Sequence, residues 1–177
     1  MSNINSIRTL SNRILILLWG VLFLNPISFA VLWFSNVFNS SSEFFFFDAP
    51  FDIELPLGIG QALSGYLISN ITVIVAALIT WQLIKLFNLY RIGKVFTSSN
   101  IMCYQKIANM MILYVVIGYL EEFLLGFALT YGGSEISFGV SAADSDIALL
   151  TTGIIVRVIA KVMAEAKILQ DDQSLTI

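Results

Sequence analysis

The charged residues inside the most apolar parts of this sequence are the ones whose chemistry needs explaining first. Glu121 and Glu122 are adjacent within one long apolar stretch, and Arg157 lies within another. A carboxylate can hold a proton or bind a cation, and a guanidinium can bind a carboxylate through two parallel hydrogen bonds. Together these residues would form either a site for a proton, ion or ligand, or a structural ion pair that fixes how two helices pack.

Histidine-based catalysis and Cys/His metal sites are excluded by composition. The chain has 177 residues, no histidine and a single cysteine, Cys103, to which we assign no role. A disulfide within the chain, a Cys/His zinc site and a His-based catalytic triad are therefore impossible. Glu121 and Glu122 match the first two positions of the metal-independent prenyl-protease signature, but Gly126 replaces its arginine and its histidines are missing. We expect a protein that is not an enzyme and has no cofactor.

Four long apolar blocks contain the intramembrane charges and must position them. The blocks run over about residues 14–34, 63–84, 107–131 and 147–169, and a helix needs roughly 20 residues to cross a hydrocarbon core. Charged residues make up only 12% of the chain, whereas soluble domains carry about 25%. Inside lipid the backbone must satisfy its own hydrogen bonds, so each block is predicted to be a helix. The predicted fold is an all-α membrane protein, a single domain over residues 1–177 with four transmembrane helices in an antiparallel up-down bundle.

The distribution of lysine and arginine predicts the orientation of this bundle. Basic residues precede the first block, fill the connection 85–106 and recur toward the end of the fourth block. The connections 35–62 and 132–146 contain acidic residues and no lysine or arginine. We therefore expect a plasma-membrane protein with cytoplasmic termini, a cytoplasmic connection 85–106 and two outer connections. The aromatic run 44–47 in the first outer connection is expected to rest among lipid headgroups.

The first apolar block has a second interpretation as a signal peptide. Arg13, the apolar run that follows it, and the triplet Ser28, Phe29 and Ala30 resemble a cleavable signal sequence. Cleavage there would leave three helices and place the new N-terminus outside. Because apolar residues continue through Phe34 and no polar start follows Ala30, we expect an uncleaved helix.

Counting residues from the helix ends predicts one polar layer. Glu121 and Glu122 lie about ten residues from the outer end of their block, and Arg157 lies about as far from the outer end of its own, which is roughly 15 Å at about 1.5 Å per residue. Helices joined by a short loop are usually neighbours. We therefore expect Arg157 to pair with one glutamate near the bilayer midplane. Asn25 on the first helix and Lys161, one turn beyond Arg157, are expected to extend this layer.

Two segments toward the C-terminal half form a recognisable pattern. The connection after the second block contains Tyr-Arg-x-Gly-x-x-Phe-Thr, formed here by Tyr90, Arg91, Gly93, Phe96 and Thr97. The tail has an acidic turn and a short apolar stop, formed by Asp171, Asp172, Leu175, Thr176 and Ile177. With these motifs and its four helices, the chain resembles the bacterial membrane protein family called domain of unknown function 2975. The resemblance covers about residues 60–177, and the first 60 residues match in layout only.

The resemblance implies a partner and no known reaction. Family members are often encoded beside a small helix-turn-helix repressor, which implies a regulatory or interaction protein that works with a cytoplasmic transcription regulator. Arg91, Lys94 and Phe96 would then contact that partner. The alternative is a basic loop whose side chains lie at anionic lipid headgroups. Besides the lipid bilayer, no other macromolecular partner is implied, and we expect no direct binding of nucleic acid.

A second functional class stays open at this point. A small transporter or an immunity-type membrane protein would use the glutamate–arginine site itself, and so small a unit would act as a homo-oligomer.

The local sequence also predicts the shape of the basic connection. Gly93 is expected to end the second helix with a positive φ, and Thr97 or Ser98 to cap the next helix.

Overall fold

The structure, a computed structural model, describes residues 2–37, 57–94, 96–131 and 136–174. Within these ranges the regular elements are four α-helices: α1 (Ser2–Val37), α2 (Ile59–Arg91), α3 (Ser98–Thr130) and α4 (Asp144–Ser174). All four are long and apolar enough to cross a membrane. The predicted all-α class with four membrane-spanning helices is confirmed at this level.

Parts of two predictions concern residues outside this description. The aromatic run 44–47, expected at the lipid headgroups, is one of them. The last three residues of the tail motif, 175–177, are the other.

The helices extend well past the apolar blocks that predicted them. α2 ends at Arg91 rather than near residue 84, and α3 begins at Ser98 rather than near residue 107. A helix of 33 residues such as α3 is about 50 Å long, which exceeds the roughly 30 Å of the hydrocarbon core. Helical hydrogen bonding continues through the flanking Lys, Gln and Tyr residues, because nothing at a lipid boundary stops a helix. The expected connection 85–106 is therefore reduced to residues 92–97, called the turn 92–97 below, of which residue 95 lies outside the described ranges.

Consecutive helices run antiparallel and pack side by side. The indole nitrogen of Trp33, near the end of α1, donates to the carbonyl oxygen of Ala62 near the start of α2 at 3.1 Å. The side-chain amide of Gln61 donates to the carbonyl oxygen of Leu129, near the end of α3, at 3.0 Å. Among the described residues the helix pairs in contact are α1 with α2, α2 with α3, and α3 with α4. The four helices therefore form an open row with α1 and α4 at its edges.

The row has two ends, which are named here by their contents. The turn end carries the turn 92–97, where the side chain of Arg8 near the start of α1 donates to the carbonyl oxygen of Arg91 at 3.1 Å. The far end carries the start of α2 and the end of α3.

Along the row, large apolar side chains such as Ile16 and Ile59 are more than 70% exposed. Exposed apolar surface on every helix fits a face that contacts lipid, which supports a multi-pass membrane protein.

The segment 136–143 shifts α4 along α3, away from the far end. It runs as extended chain back along α3, so closely that a Cβ built on Gly126 would lie 2.8 Å from the Cα of Phe138. α4 begins only after this return. Its Gly153 packs against Met111 and against the carbonyl of Ala108. The first turn of α4 therefore lies beside the middle of α3 rather than beside its end.

Candidate functional site

The structure separates the residues that were expected to form one polar layer. Arg157 donates from Nη1 to the side-chain oxygen of Asn109 at 3.2 Å. Asn109 precedes Glu121 by twelve residues on α3, a distance of about 18 Å along the helix axis. In the described residues Arg157 therefore contacts Asn109, and the expected pair with one of the two glutamates, Glu121 or Glu122, is not formed. The depth estimate failed because it ignored segment 136–143, which carries the start of α4 down α3 and so moves Arg157 toward the turn end.

Glu122 anchors the chain that leads into α4. Its carboxylate accepts a hydrogen bond from the backbone N–H of Ser141 at 2.8 Å and from the Ser141 hydroxyl at 3.3 Å. Nearby, Asp146 in the first turn of α4 accepts from the backbone N–H of Ala143 at 3.1 Å and lies beside Tyr119 of α3. These contacts join α3 to the start of α4. Glu122 therefore has a structural partner in the segment that shifts α4.

Glu121 points elsewhere, toward α2. Adjacent residues on a helix point about 100° apart, and the carboxyl group of Glu121 lies against Thr72. Its Oε2 atom is buried and has no hydrogen-bond partner among the described residues, and the same holds for the hydroxyl of Ser69, one turn from Thr72 on α2. Buried polar groups without partners are costly. Two such groups, Ser69 on α2 and Glu121 on α3, therefore lie within one helical turn of Thr72 or against it.

Asn25 reaches the same level from α1. It lines a cavity of about 240 Å³ between α1 and α2, together with Ser28, Thr72 and Tyr114. Thr72 is therefore shared between this cavity and Glu121. Of the expected layer, Asn25 shares a cavity with Thr72 and Glu121 lies against Thr72, while Glu122 faces segment 136–143.

Arg157 and Lys161 form a separate group at the turn end of the α3–α4 contact. Both are exposed, and both line a cleft of about 590 Å³ whose α3 wall includes Gln105 and Asn109. The two basic side chains favour an anion or a lipid headgroup in this cleft over a metal cation. Within the described parts of the chain, no three His, Cys, Asp or Glu side chains converge on a metal site.

The turn between α2 and α3 has a defined hydrogen-bond pattern. Gly93 has a φ of +79°, as predicted. The backbone N–H of Gly93 donates to the carbonyl of Tyr90, and that of Lys94 donates to the carbonyl of Leu89, both at 3.0 Å. These two bonds make a Schellman motif, in which a residue with positive φ ends a helix. Glycine is the residue that accepts this conformation most readily, so Gly93 ends α2 sharply.

The other half of the turn is held by a residue that the sequence reasoning missed. Asn100 is completely buried and donates its side-chain N–H to the carbonyl oxygen of Lys94 at 3.0 Å. Its side-chain oxygen accepts a hydrogen bond from the Thr97 hydroxyl. Thr97 is the N-cap residue of α3, as predicted, but its side chain does not cap the backbone. The spacing Thr-x-x-Asn, which begins four residues after the helix-ending Gly93, was the available signal.

The residues named as partner contacts are exposed around this turn. Arg91 and Lys94 are exposed, and Phe96 is 64% exposed. Beneath them the hydroxyl groups of Tyr90 and Tyr104 are hydrogen-bonded at 2.7 Å, which joins α2 to α3. Cys103, expected in a loop, is instead buried in α3 and packs with Leu86 and Ile107.

Comparison with known proteins places the chain in a family without an assigned activity. The model of the family described as "Protein of unknown function (DUF2975)" matches residues 13–177. No curated protein and no solved structure matches the chain. The family match includes most of α1 and so reaches further than the motifs after residue 60. The resemblance carried by the Tyr90–Thr97 motif and the tail is thereby confirmed, and the chain belongs to this family of proteins of unknown function, DUF2975.

Proposed function

We propose that this protein is a regulatory or interaction protein of the plasma membrane, without enzymatic activity, that binds a cytoplasmic transcription regulator at its turn end. The observation that carries the proposal is the turn 92–97. The Schellman motif fixes Gly93 and Lys94, and buried Asn100 binds Lys94 and Thr97, while the side chains of Lys94 and Phe96 are exposed. A fixed turn binds with little loss of conformational freedom. An aromatic side chain beside a cation is a common composition for an interface hot spot.

The end of α4 extends this surface. Arg157 of α4 lies beside Asn109 of α3, and the two helices run antiparallel, so Lys167 lies near the level at which α3 begins. The remaining turns of α4 project past it, and Lys167 there forms an ion pair with Asp171 at 3.0 Å. A partner that contacts the turn therefore also meets the end of α4.

The proposed orientation follows from the basic residues at the turn end. Arg8, Arg13, Arg91 and Lys94 are all exposed there, and basic residues that flank transmembrane helices favour the cytoplasmic side. An alkaline phosphatase fused after Ile177 should be inactive, and one inserted near Ser137 should be active. The reverse pattern would place the turn end outside and would exclude a cytoplasmic partner.

Co-purification tests the proposed partner directly. The tagged full chain is extracted from the membranes of its native cells, and any helix-turn-helix regulator that is retained with it is identified and measured. The double variant Lys94→Ala/Phe96→Ser should weaken retention about 30-fold, the effect of losing a hot spot worth about 2 kcal/mol. Arg13→Ala, which removes an exposed charge from α1, is the matched control and should retain the regulator. Failure of the native chain to retain it, or equal loss with Arg13→Ala, would contradict the proposal.

A second candidate function rests on Glu121. A small transporter or immunity-type protein needs a polar group inside the membrane, and the unpartnered Oε2 of Glu121 beside Thr72 is such a group. Exposed edges at α1 and α4 would allow the homo-oligomer that such a small unit requires. Under this alternative, ion flux into proteoliposomes, or protection of cells against a toxic peptide, should be lost in Glu121→Gln. It should persist in the control Glu165→Gln, which changes an exposed glutamate of α4. Unchanged flux and protection in Glu121→Gln would remove this candidate.

A further inference from the structure

A cleft between α2 and α3 near the turn end contains concentrated positive charge. Its volume is about 550 Å³, and Lys85 and Arg91 of α2 face Lys106 of α3 across it. No aspartate or glutamate is among its lining residues. Over the described ranges the one ion pair is that of Lys167 with Asp171, so none of these three cations has a carboxylate partner. Like charges held close together without counter-charge repel each other, and an anion in the cleft would relieve that repulsion.

The rest of the lining divides into a polar and an apolar part. Gln82, Asn88 and Ser99 add amide and hydroxyl groups that donate hydrogen bonds. Ser99 lies in the first turn of α3, where backbone N–H groups and the helix dipole also favour an anion. Leu89 and Met102 supply an apolar wall beside these groups. A free phosphate would use only the polar part, whereas a phosphate attached to acyl chains would use both.

The position of the cleft along the helices also fits a lipid phosphate. The ammonium group of Lys85 lies 5.6 Å from the ring centroid of Trp81, and Trp81 is 39% exposed. Tryptophan beside lysine or arginine is typical of the boundary between hydrocarbon and headgroups. On the side of Trp81 away from the turn end, residues 71–79 of α2 are apolar apart from Thr72. The cleft therefore lies where the phosphate groups of the inner leaflet would be, if the turn end is cytoplasmic.

We propose that this cleft binds the phosphate group of an anionic phospholipid, such as phosphatidylglycerol, between Lys85 and Lys106. Basic pockets between transmembrane helices on the cytoplasmic side are a recurrent type of headgroup site. The site meets the partner surface at Arg91, which lines the cleft, whereas Lys94 and Phe96 do not line it. The comparable cleft between α3 and α4 is a weaker candidate, since its Arg157 already donates to Asn109.

Native mass spectrometry of the full chain in detergent tests this site. Phosphatidylglycerol or phosphatidylcholine is titrated into the protein, and bound lipid is counted for each variant. The native chain should retain phosphatidylglycerol preferentially. Lys85→Gln/Lys106→Gln should lower its affinity about 25-fold, or about fivefold for each basic residue removed. Lys85→Arg/Lys106→Arg preserves both charges and should bind as the native chain does, as should the control Arg13→Gln.

Each other result would overturn the proposal in a recognisable way. Equal retention of the two lipids would exclude a phosphate site, and equal loss in Arg13→Gln would show that net charge alone attracts lipid. Displacement of phosphatidylglycerol by inorganic phosphate in the same buffer would identify a free anion as the ligand. Loss of binding in the arginine variant as well would show that charge is not what the cleft contributes. The lysine variants leave the turn intact, so the co-purification experiment separates failure of this site from failure of the partner surface.

Discussion

The two halves of α3 use their charged neighbours in opposite ways. Around Glu121 and Glu122, acidic groups are turned inward: Glu122 accepts two hydrogen bonds from Ser141, and one oxygen of Glu121 is buried. Around Lys106 and Arg157, basic groups line open clefts. The half of α3 around Glu121 and Glu122, called the acidic half, therefore makes contacts within the protein. The half around Lys106, called the basic half, has basic side chains that lipids or a partner can reach.

This difference has a physical origin in side-chain length and solvation. A glutamate on a membrane helix has a short side chain and must find its donors within the protein, because polar groups are costly in hydrocarbon. Lysine and arginine are long enough to carry their charges toward the headgroups while their methylene groups stay on the apolar surface. The comparison predicts that substitutions in the acidic half change stability and that substitutions in the basic half change binding.

The largest effect on stability is expected at Gly126, where segment 136–143 crosses α3. A Cβ added at this position would lie 2.8 Å from the Cα of Phe138 and 3.0 Å from the carbonyl oxygen of Ser137. Both are backbone atoms that a side-chain rotation cannot move, so Gly126→Val should lower the free energy of unfolding by about 3 kcal/mol. The measurement is unfolding in a detergent titration followed by circular dichroism. Gly118→Val is the matched control, since a Cβ there meets nothing within 4 Å, and equal destabilisation at both positions would exclude the clash as the cause.

A somewhat smaller loss is expected at Glu122. Glu122→Ala leaves the backbone N–H of Ser141 without its 2.8 Å acceptor and removes the anchor of the chain before α4. Loss of a hydrogen bond to a charged group costs about 2 kcal/mol, which the same titration would detect. The control Glu165→Ala changes an exposed glutamate and should stay within about 0.5 kcal/mol. If Glu122→Ala is as mild as its control, the acidic half does not have the structural role inferred for it.

At the turn end, Asn100 differs from the basic residues around it, because its side chain is polar, completely buried and hydrogen-bonded within the protein. Asn100→Ala removes the hydrogen bond to the carbonyl of Lys94 and the partner of the Thr97 hydroxyl. We expect a loss of about 1.5 kcal/mol and faster amide hydrogen exchange in the turn 92–97. The exposed Asn12→Ala is the control. Unchanged exchange in the turn would show that the Schellman motif alone holds it.

The sequence predicted the features that depend on local composition. Long apolar blocks predicted four helices, and Gly93 predicted a positive φ that the structure contains. The level of Arg157 was not predictable in this way, because it depends on the path of segment 136–143 against Gly126. That path is set by a tertiary contact. Counting residues from the helix ends assumes that α3 ends and α4 begins at the same level, and segment 136–143 separates those two levels. Asn100 was overlooked for a related reason, since its spacing from Thr97 indicates a side-chain contact at the helix start but not that Asn100 is completely buried.

The smallest effect is expected at Arg157, the residue that the sequence placed in a buried ion pair. Its side chain is exposed and makes one 3.2 Å hydrogen bond to Asn109, so Arg157→Leu should cost about 0.5 kcal/mol, as is usual for exposed sites. An arginine paired with a buried carboxylate would cost about 3–5 kcal/mol when removed. The double reversal Glu121→Arg/Arg157→Glu tests the same point, because residues about 18 Å apart along a helix axis should show no coupling. If the double variant is more stable than the sum of the two single reversals predicts, the two residues are in contact. That result would refute the shifted position of α4.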